Sequence, residues 1–96
     1  MEKPIPLTEE EIKTRLVDMP GWSFTDNKIS KEFKFKDFMD SLNFINRLAP
    51  FCEENDHHPD IHLFYNKVVF ELQRFDIGGK VTDRDFVIAR KIEELY

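Results

Sequence analysis

The sequence has little of the features that mark secreted or membrane-embedded proteins. Its 96 residues include a single cysteine, Cys52, so no internal disulfide can form, and the chain fits a reducing compartment. No apolar run approaches the roughly 20 residues that a transmembrane helix requires, and no signal-peptide pattern is present. These absences predict a cytoplasmic protein without a membrane partner.

The chain also has no excess of basic residues. The chain has 14 Lys and Arg residues against 19 Asp and Glu residues, which gives a net charge of -5. Proteins that bind DNA or RNA without sequence preference rely on clustered positive charge. We therefore expect no nucleic-acid partner.

Aromatic residues, by contrast, are plentiful. Ten phenylalanines supply large apolar areas for one core, and the length leaves no room for a second core. We expect a single domain over residues 1–96. Because so small a domain buries a modest fraction of its surface, oligomerisation is an expected source of further stability.

Capping signals predict three helices. Thr8 and Glu11 form a capping box for a helix that reaches about Val17, and Asp37 caps a second helix over residues 38–54. Thr82 begins the third helix, with Asp85 in place of the usual Glu at the N3 position.

Four strands are predicted between these helices. A strand begins at Trp22, and Asp26-Asn27 turns the chain into a second strand in which Ile29, Phe33 and Phe35 share a face. Alternating runs at 61–65 and 68–75 form two more strands. The order is α-β-β-α-β-β-α, which predicts an α+β fold: a four-stranded antiparallel sheet with three helices packed on one face.

The second predicted helix has two apolar stripes. One stripe alone would cover a sheet in a monomer, so the second predicts burial against another subunit. Pro50 lies inside this helix and should kink or divide it. The stripes consist of Phe38, Leu42, Ile45 and Ala49 and of Phe44, Leu48 and Phe51.

All three histidines lie within six positions of one another, in an acidic segment. The ordinary pKa of imidazole, about 6.5, lies near working pH, so histidine exchanges protons readily. Pro59 favours an extended conformation at His58, and adjacent residues of an extended chain point in opposite directions. His57 and His58 should therefore present one ring on each side of the backbone.

Three interpretations of this segment are open. The histidines could be ordinary surface residues, or His58 and His62 could join Asp56 or Asp60 in a divalent-metal site. Because His57 and His58 cannot easily chelate one ion from opposite sides, acid–base chemistry or ligand binding is favoured over metal binding. We predict no metal and no cofactor.

Several motifs occur together in a recognisable order. They are Phe35-Lys36-Asp37-Phe38, His57-His58-Pro59, Tyr65-Asn66-Lys67-Val68, Asp76-x-Gly78-Gly79 and Arg84-Asp85. From Trp22 through the last helix, the chain resembles the pterin-4a-carbinolamine dehydratases, also known as dimerisation cofactors of hepatocyte nuclear factor. The resemblance implies a lyase that dehydrates 4a-hydroxytetrahydropterin to quinonoid dihydropterin in tetrahydrobiopterin recycling.

The resemblance also implies roles for individual residues. His57 and His58 are the catalytic candidates, the first as an acid/base residue and the second mainly as a substrate-binding residue. Glu53 and Asp85 match acidic positions of the family pattern, and Glu53, His58, Pro59, Phe75 and Asp85 are the substrate-binding candidates. The family pattern does not require His62.

One position departs from the family. Phe75 stands where the family has a third histidine, before the Asp-x-Gly-Gly turn. Phenylalanine transfers no proton, and loss of an acid/base group typically costs on the order of 10²–10⁴-fold in rate. The second hypothesis is therefore a non-catalytic pterin-binding or dimerisation module. The aromatic ring of Phe75 could still pack on a flat heterocycle such as a pterin.

The resemblance implies a homodimer or homotetramer, with sheets joined edge to edge and long helices meeting at a further interface. No residue pattern identifies a transcription-factor partner or the particular pterin substrate.

Overall fold

Local capping and turn signals fix where the elements of the fold begin. The computed structural model describes residues 5–73 and 80–96. In these residues, the Thr8 and Thr82 side chains both sit in complete capping boxes, and Asp37 accepts a hydrogen bond from the Asp40 amide. The elements are α1 (Glu9–Leu16), β1 (Ser23–Thr25), β2 (Lys28–Lys34), α2 (Phe38–Glu54), β3 (Asp60–Leu63), β4 (Lys67–Leu72) and α3 (Asp83–Leu95).

The four strands form one antiparallel sheet in the order β1-β2-β4-β3. Asp26 and Asn27 have φ values of 54° and 62°, which is the left-handed conformation of a tight hairpin turn. The predicted α+β fold and its element order are confirmed. Strands β1 and β3 form the two edges of the sheet.

One face of the sheet carries the core. Val68, Phe70 and Leu72 alternate along β4 and are fully buried, and Ile29 and Phe33 of β2 lie beside them. Phe33 is a centre of the aromatic packing: its ring contacts those of Trp22, Phe44, Phe70 and Tyr96. The opposite face carries mainly polar side chains, in keeping with period-two alternation.

Helix α2 covers the sheet with the second of its two stripes. Phe44 and Leu48 of this stripe are buried, whereas Phe38 of the other stripe is 44% exposed. The stripe that contains Phe38 therefore faces away from the core, and we call it the outward stripe. Of the two outcomes predicted for Pro50, a kink or a division of the helix, the division does not occur, because α2 is continuous from Phe38 to Glu54.

Some predicted boundaries were displaced. The first helix ends at Leu16 rather than Val17, and the third and fourth strands end at Leu63 and Leu72. The predicted end of the fourth strand, together with Phe75, lies outside the described residues.

Candidate functional site

The end of helix α2 places the two adjacent histidines. Asp56 has a φ of 47°, and its amide donates to the Glu53 carbonyl oxygen at 3.2 Å. The His57 amide donates to the Cys52 carbonyl oxygen at 3.1 Å. This pair of bonds is the Schellman arrangement that ends many helices. It turns the chain sharply at Asp56 and fixes the backbone of His57.

His57 lies inside the protein, against the start of helix α3. Its side chain is 3% exposed and that of Asp85 is 0% exposed, and its ring nitrogen Nε2 lies 2.5 Å from Asp85 Oδ1. Two residues 28 positions apart in the chain thus form a buried imidazole–carboxylate pair. Such a pair fixes the orientation of the ring and favours a hydrogen on the nitrogen that faces the carboxylate.

The Asp85 carboxylate is also part of the cap of helix α3. Its second oxygen, Oδ2, accepts the Thr82 amide hydrogen at 2.8 Å. Thr82 is itself fully buried, and its hydroxyl accepts from the Arg84 amide at 3.2 Å. The helix N-terminus stabilises a carboxylate at this position. Asp85 therefore holds both the helix start and the His57 ring.

His58 has a different environment. Its side chain is 54% exposed, and its Nε2 lies 2.5 Å from Oε2 of Glu53 in the last turn of α2. The two neighbouring rings contact different helices, as the alternation of an extended segment predicts.

The His58–Glu53 pair lines a pocket of about 380 Å³. Pro59 also lines it, and its walls are otherwise mostly apolar, from Ile45, Leu48, Ala49, Cys52 and Ile61. An apolar pocket with a few polar groups at one side is typical of sites for small ligands. Three of the predicted substrate-binding residues, Glu53, His58 and Pro59, thus meet at one pocket.

The third histidine lies apart from the other two. His62 is on β3, and its Nε2 lies 2.8 Å from Oε1 of Glu71 on the neighbouring strand. Glu71 also pairs with Lys28 at 3.0 Å. Within residues 5–73 and 80–96, no three His, Cys, Asp or Glu side chains are grouped so that they could hold a metal ion.

The surroundings of Cys52 make its thiol unreactive. It is buried, and burial raises the pKa of its thiol to about 11, with the nearby Glu53 carboxylate acting in the same direction. Burial, which contributes most, follows from the position of Cys52 on the core side of α2.

The sequence pattern identified the residue types of the site but not their pairing. Nothing in it indicated that Asp85 would meet His57 rather than His58, or that Thr82 would be fully buried beside them. The signal that was available is the capping box at Thr82, which fixes where the Asp85 side chain lies. Phe75 lies outside the described residues.

In the described part of the chain, no helix combines the length and the apolar character needed to cross a bilayer.

Comparison with known proteins gives consistent matches. Residues 5–95 match the family model described as pterin 4 alpha carbinolamine dehydratase. A Sulfolobus acidocaldarius protein, named a candidate pterin-4-alpha-carbinolamine dehydratase, is 47% identical over 89 residues, covering 93% of this chain and 97% of its own. A similarly named Picosynechococcus protein is 45% identical over 89 residues, covering 93% of this chain and 96% of its own.

Solved structures agree with these matches. A transcriptional coactivator/pterin dehydratase from Brucella melitensis superimposes with a TM-score of 0.88 at 35% identity, covering 95% of this chain and 98% of its own. A pterin dehydratase-like protein, described as a RuBisCO assembly factor of the alpha-carboxysome, reaches a TM-score of 0.61 at 21% identity, over 77% of this chain and 84% of its own. The second likeness concerns the fold alone. The resemblance and the enzyme class predicted from the sequence, a dehydratase, are confirmed at the level of the family.

Proposed function

Because the chain belongs to the pterin 4 alpha carbinolamine dehydratase family, we propose that it dehydrates 4a-hydroxytetrahydropterin to quinonoid dihydropterin in tetrahydrobiopterin recycling. The observation that carries the catalytic part is the buried His57–Asp85 pair, with 2.5 Å between His57 Nε2 and Asp85 Oδ1. A histidine held by a carboxylate is a common form of acid–base catalyst.

The reaction needs one proton removed and one supplied. A base takes a proton from a ring nitrogen, and the electron pair of that N–H bond forms a carbon–nitrogen double bond. The bond between C4a and its hydroxyl oxygen breaks, and an acid protonates the departing oxygen, which leaves as water. Imidazole supports both transfers near neutral pH without a metal ion or a cofactor.

His57 is proposed as the acid/base residue because its ring is held in one orientation. General acid–base catalysis depends on such placement before it depends on pKa. Burial also keeps bulk water from competing for the transferred proton.

His58 and Glu53 are proposed to bind the pterin. They lie on the surface of an apolar pocket of about 380 Å³, beside Pro59. A flat heterocycle with polar edges suits apolar walls and a few hydrogen-bonding groups. The Glu53 carboxylate and the His58 ring provide such groups, at 75% and 54% exposure. Phe75 is a further proposed substrate-binding residue, since an aromatic ring packs on a flat heterocycle.

The test compares His57→Ala with His58→Ala in a dehydration assay on freshly generated 4a-hydroxytetrahydropterin. We expect His57→Ala to lower kcat by on the order of 10²–10⁴-fold. His58→Ala should raise KM more than it lowers kcat, because it removes binding rather than proton transfer. Unchanged turnover in His57→Ala would remove the proposed catalytic role.

A second function is favoured by one sequence feature. Phe75 replaces the third histidine of the family pattern, which would suit a pterin-binding or dimerisation module without catalysis. In that case the protein should bind a stable dihydropterin by calorimetry, while the dehydration rate stays at the uncatalysed level.

We also propose a homodimer or homotetramer. Phe38, in the outward stripe of α2, is 44% exposed, the adjacent Met39 is 58% exposed, and Ile61 on the edge strand β3 is 39% exposed. Exposed apolar stripes and free strand edges are common at interfaces between subunits. Light scattering at micromolar concentration should give at least twice the monomer mass of 11.5 kDa. A monomer would contradict this proposal.

A further inference from the structure

Asp85 is fully buried, and both of its oxygens are already engaged. Oδ1 faces the ring nitrogen Nε2 of His57 at 2.5 Å, and Oδ2 accepts the Thr82 amide hydrogen at 2.8 Å. The residue is 0% exposed. A carboxylate in this situation is poorly placed to contact a substrate. Its contacts point to another role.

The pair restricts the hydrogen positions on His57. An ionised carboxylate only accepts hydrogen bonds, so the nitrogen that faces it must carry the hydrogen. This holds for neutral imidazole, in which Nε2 is then the N–H, and for imidazolium, in which both nitrogens carry hydrogens. In both states Nε2 keeps its hydrogen, and only Nδ1 changes.

We propose that Asp85 is a positioning residue that holds the Nε2 hydrogen of His57, so that Nδ1 is the atom that exchanges protons with the substrate. The second half of this proposal rests on the proposed function. Nδ1 takes the ring-nitrogen proton, and the imidazolium formed is stabilised by the Asp85 carboxylate. Loss of a proton from Nδ1 restores the starting tautomer.

The capping box makes this arrangement stiff. The Asp85 side chain lies on the first turn of α3 and is tied to the Thr82 amide, while the His57 backbone is tied to the Cys52 carbonyl at the end of α2. Two helix ends therefore fix the two halves of the pair. A single rotation of either side chain would leave a buried polar group without its partner, which is costly.

The direct test is the tautomer of His57, measured by long-range 1H–15N NMR of the imidazole rings in the wild-type protein. The chain has three histidines, so His58→Gln and His62→Gln variants assign the signals. We expect the His57 hydrogen on Nε2 and an unprotonated Nδ1 in the neutral ring. A hydrogen on Nδ1 with a bare Nε2 would overturn the proposal. This readout does not depend on activity, so it remains informative if the protein proves to be non-catalytic.

The second test is Asp85→Asn. The amide oxygen can still accept the Thr82 amide hydrogen, but its NH2 group then faces His57 Nε2. That nitrogen must become an acceptor, which moves the ring hydrogen to Nδ1. We expect the inverted tautomer, and a kcat lowered by on the order of 10²–10⁴-fold with KM changed less than about threefold.

The matched control is Asp37→Ala, which removes the side chain that caps the start of α2, at the opposite end of that helix from His57. It should lower stability while the His57 tautomer and kcat stay as in the wild type. If Asp85→Asn keeps the wild-type tautomer, or loses no more kcat than Asp37→Ala, the positioning role is wrong. Wild-type protein with the expected tautomer but no turnover would instead contradict the proposed function alone.

Discussion

The Nε2 of His62 lies 2.8 Å from Oε1 of Glu71, across two neighbouring strands on the face of the sheet opposite the core. The face follows from the strand register: His62 is opposite Val69, whereas the buried β4 residues are Val68, Phe70 and Leu72. His62 therefore has a partner of its own, apart from the pairs made by His57 and His58.

This position predicts that His62→Ala leaves the dehydration rate within about twofold of the wild type, because no acid/base group of the site is removed. It serves as the matched control for His57→Ala, being the same substitution five positions along the chain. Steady-state kinetics on both variants would measure this. A loss in His62→Ala comparable to that in His57→Ala would show that the third histidine takes part in the reaction.

Glu71 predicts a dependence of stability on pH. Its hydrogen bond with His62, and then that with Lys28, lower the pKa of the Glu71 carboxyl below its ordinary value of 4.5. A carboxyl whose pKa is lower in the folded state stabilises the fold above its unfolded pKa and loses this effect as the pH falls through the folded pKa.

Glu71→Gln should therefore reduce the free energy of unfolding at pH 7 by about 0.2–1 kcal/mol, the range for exposed pairs. The difference from the wild type should shrink between pH 5 and pH 3, since protonation removes the same charge from the wild-type side chain. Urea denaturation of both proteins at several pH values measures these free energies of unfolding. A difference that stays constant down to pH 3 would rule out the charge as its cause.

Pro50 predicts a stabilising substitution. It lies inside the continuous helix α2 and is exposed, so its ring removes one backbone hydrogen bond without filling the core. Pro50→Ala should raise the free energy of unfolding by about 1–3 kcal/mol. Asn43→Ala, on the exposed side of the same helix, is the control and should gain less than about 0.7 kcal/mol. No gain in Pro50→Ala would mean that the surrounding structure has already adjusted to the proline.

Cys52 predicts slow reaction with thiol reagents in the native state. Burial raises its pKa to about 11, so its thiolate fraction at pH 8 is roughly a hundredfold smaller than that of a thiol with pKa 9.0. Labelling with iodoacetamide should be slow in buffer and fast in denaturant. Equal rates in the two conditions would show that the thiol is accessible in the folded protein.

Much of the fold followed from local signals that act over a few residues. The caps at Thr8, Asp37 and Thr82 and the turn at Asp26-Asn27 were all readable, because each depends on neighbouring residues. The pairing of β2 with β4 was not predicted, since nothing within either strand specifies a partner about 40 positions away.

In the candidate site, too, local features were predictable from the sequence and long-range contacts were not. The spacing around Pro59 predicted that His57 and His58 would point in different directions, but not that one ring would be buried and the other exposed. That difference arises from the Schellman turn at Asp56 and from the position of α3, which are tertiary features. Asp56 is not the glycine that usually marks such a turn, so its left-handed conformation left no clear sequence signal.

Catalysis by this protein can be decided from the dehydration rate of freshly generated 4a-hydroxytetrahydropterin, followed by ultraviolet absorbance, with wild-type protein beside Phe75→His. We expect a wild-type rate clearly above the uncatalysed rate and a large loss in His57→Ala, because the proposed proton transfer depends on the His57–Asp85 pair. A wild-type rate equal to the uncatalysed rate, rescued by Phe75→His, would contradict this expectation and would identify a pterin-binding protein on an intact dehydratase scaffold.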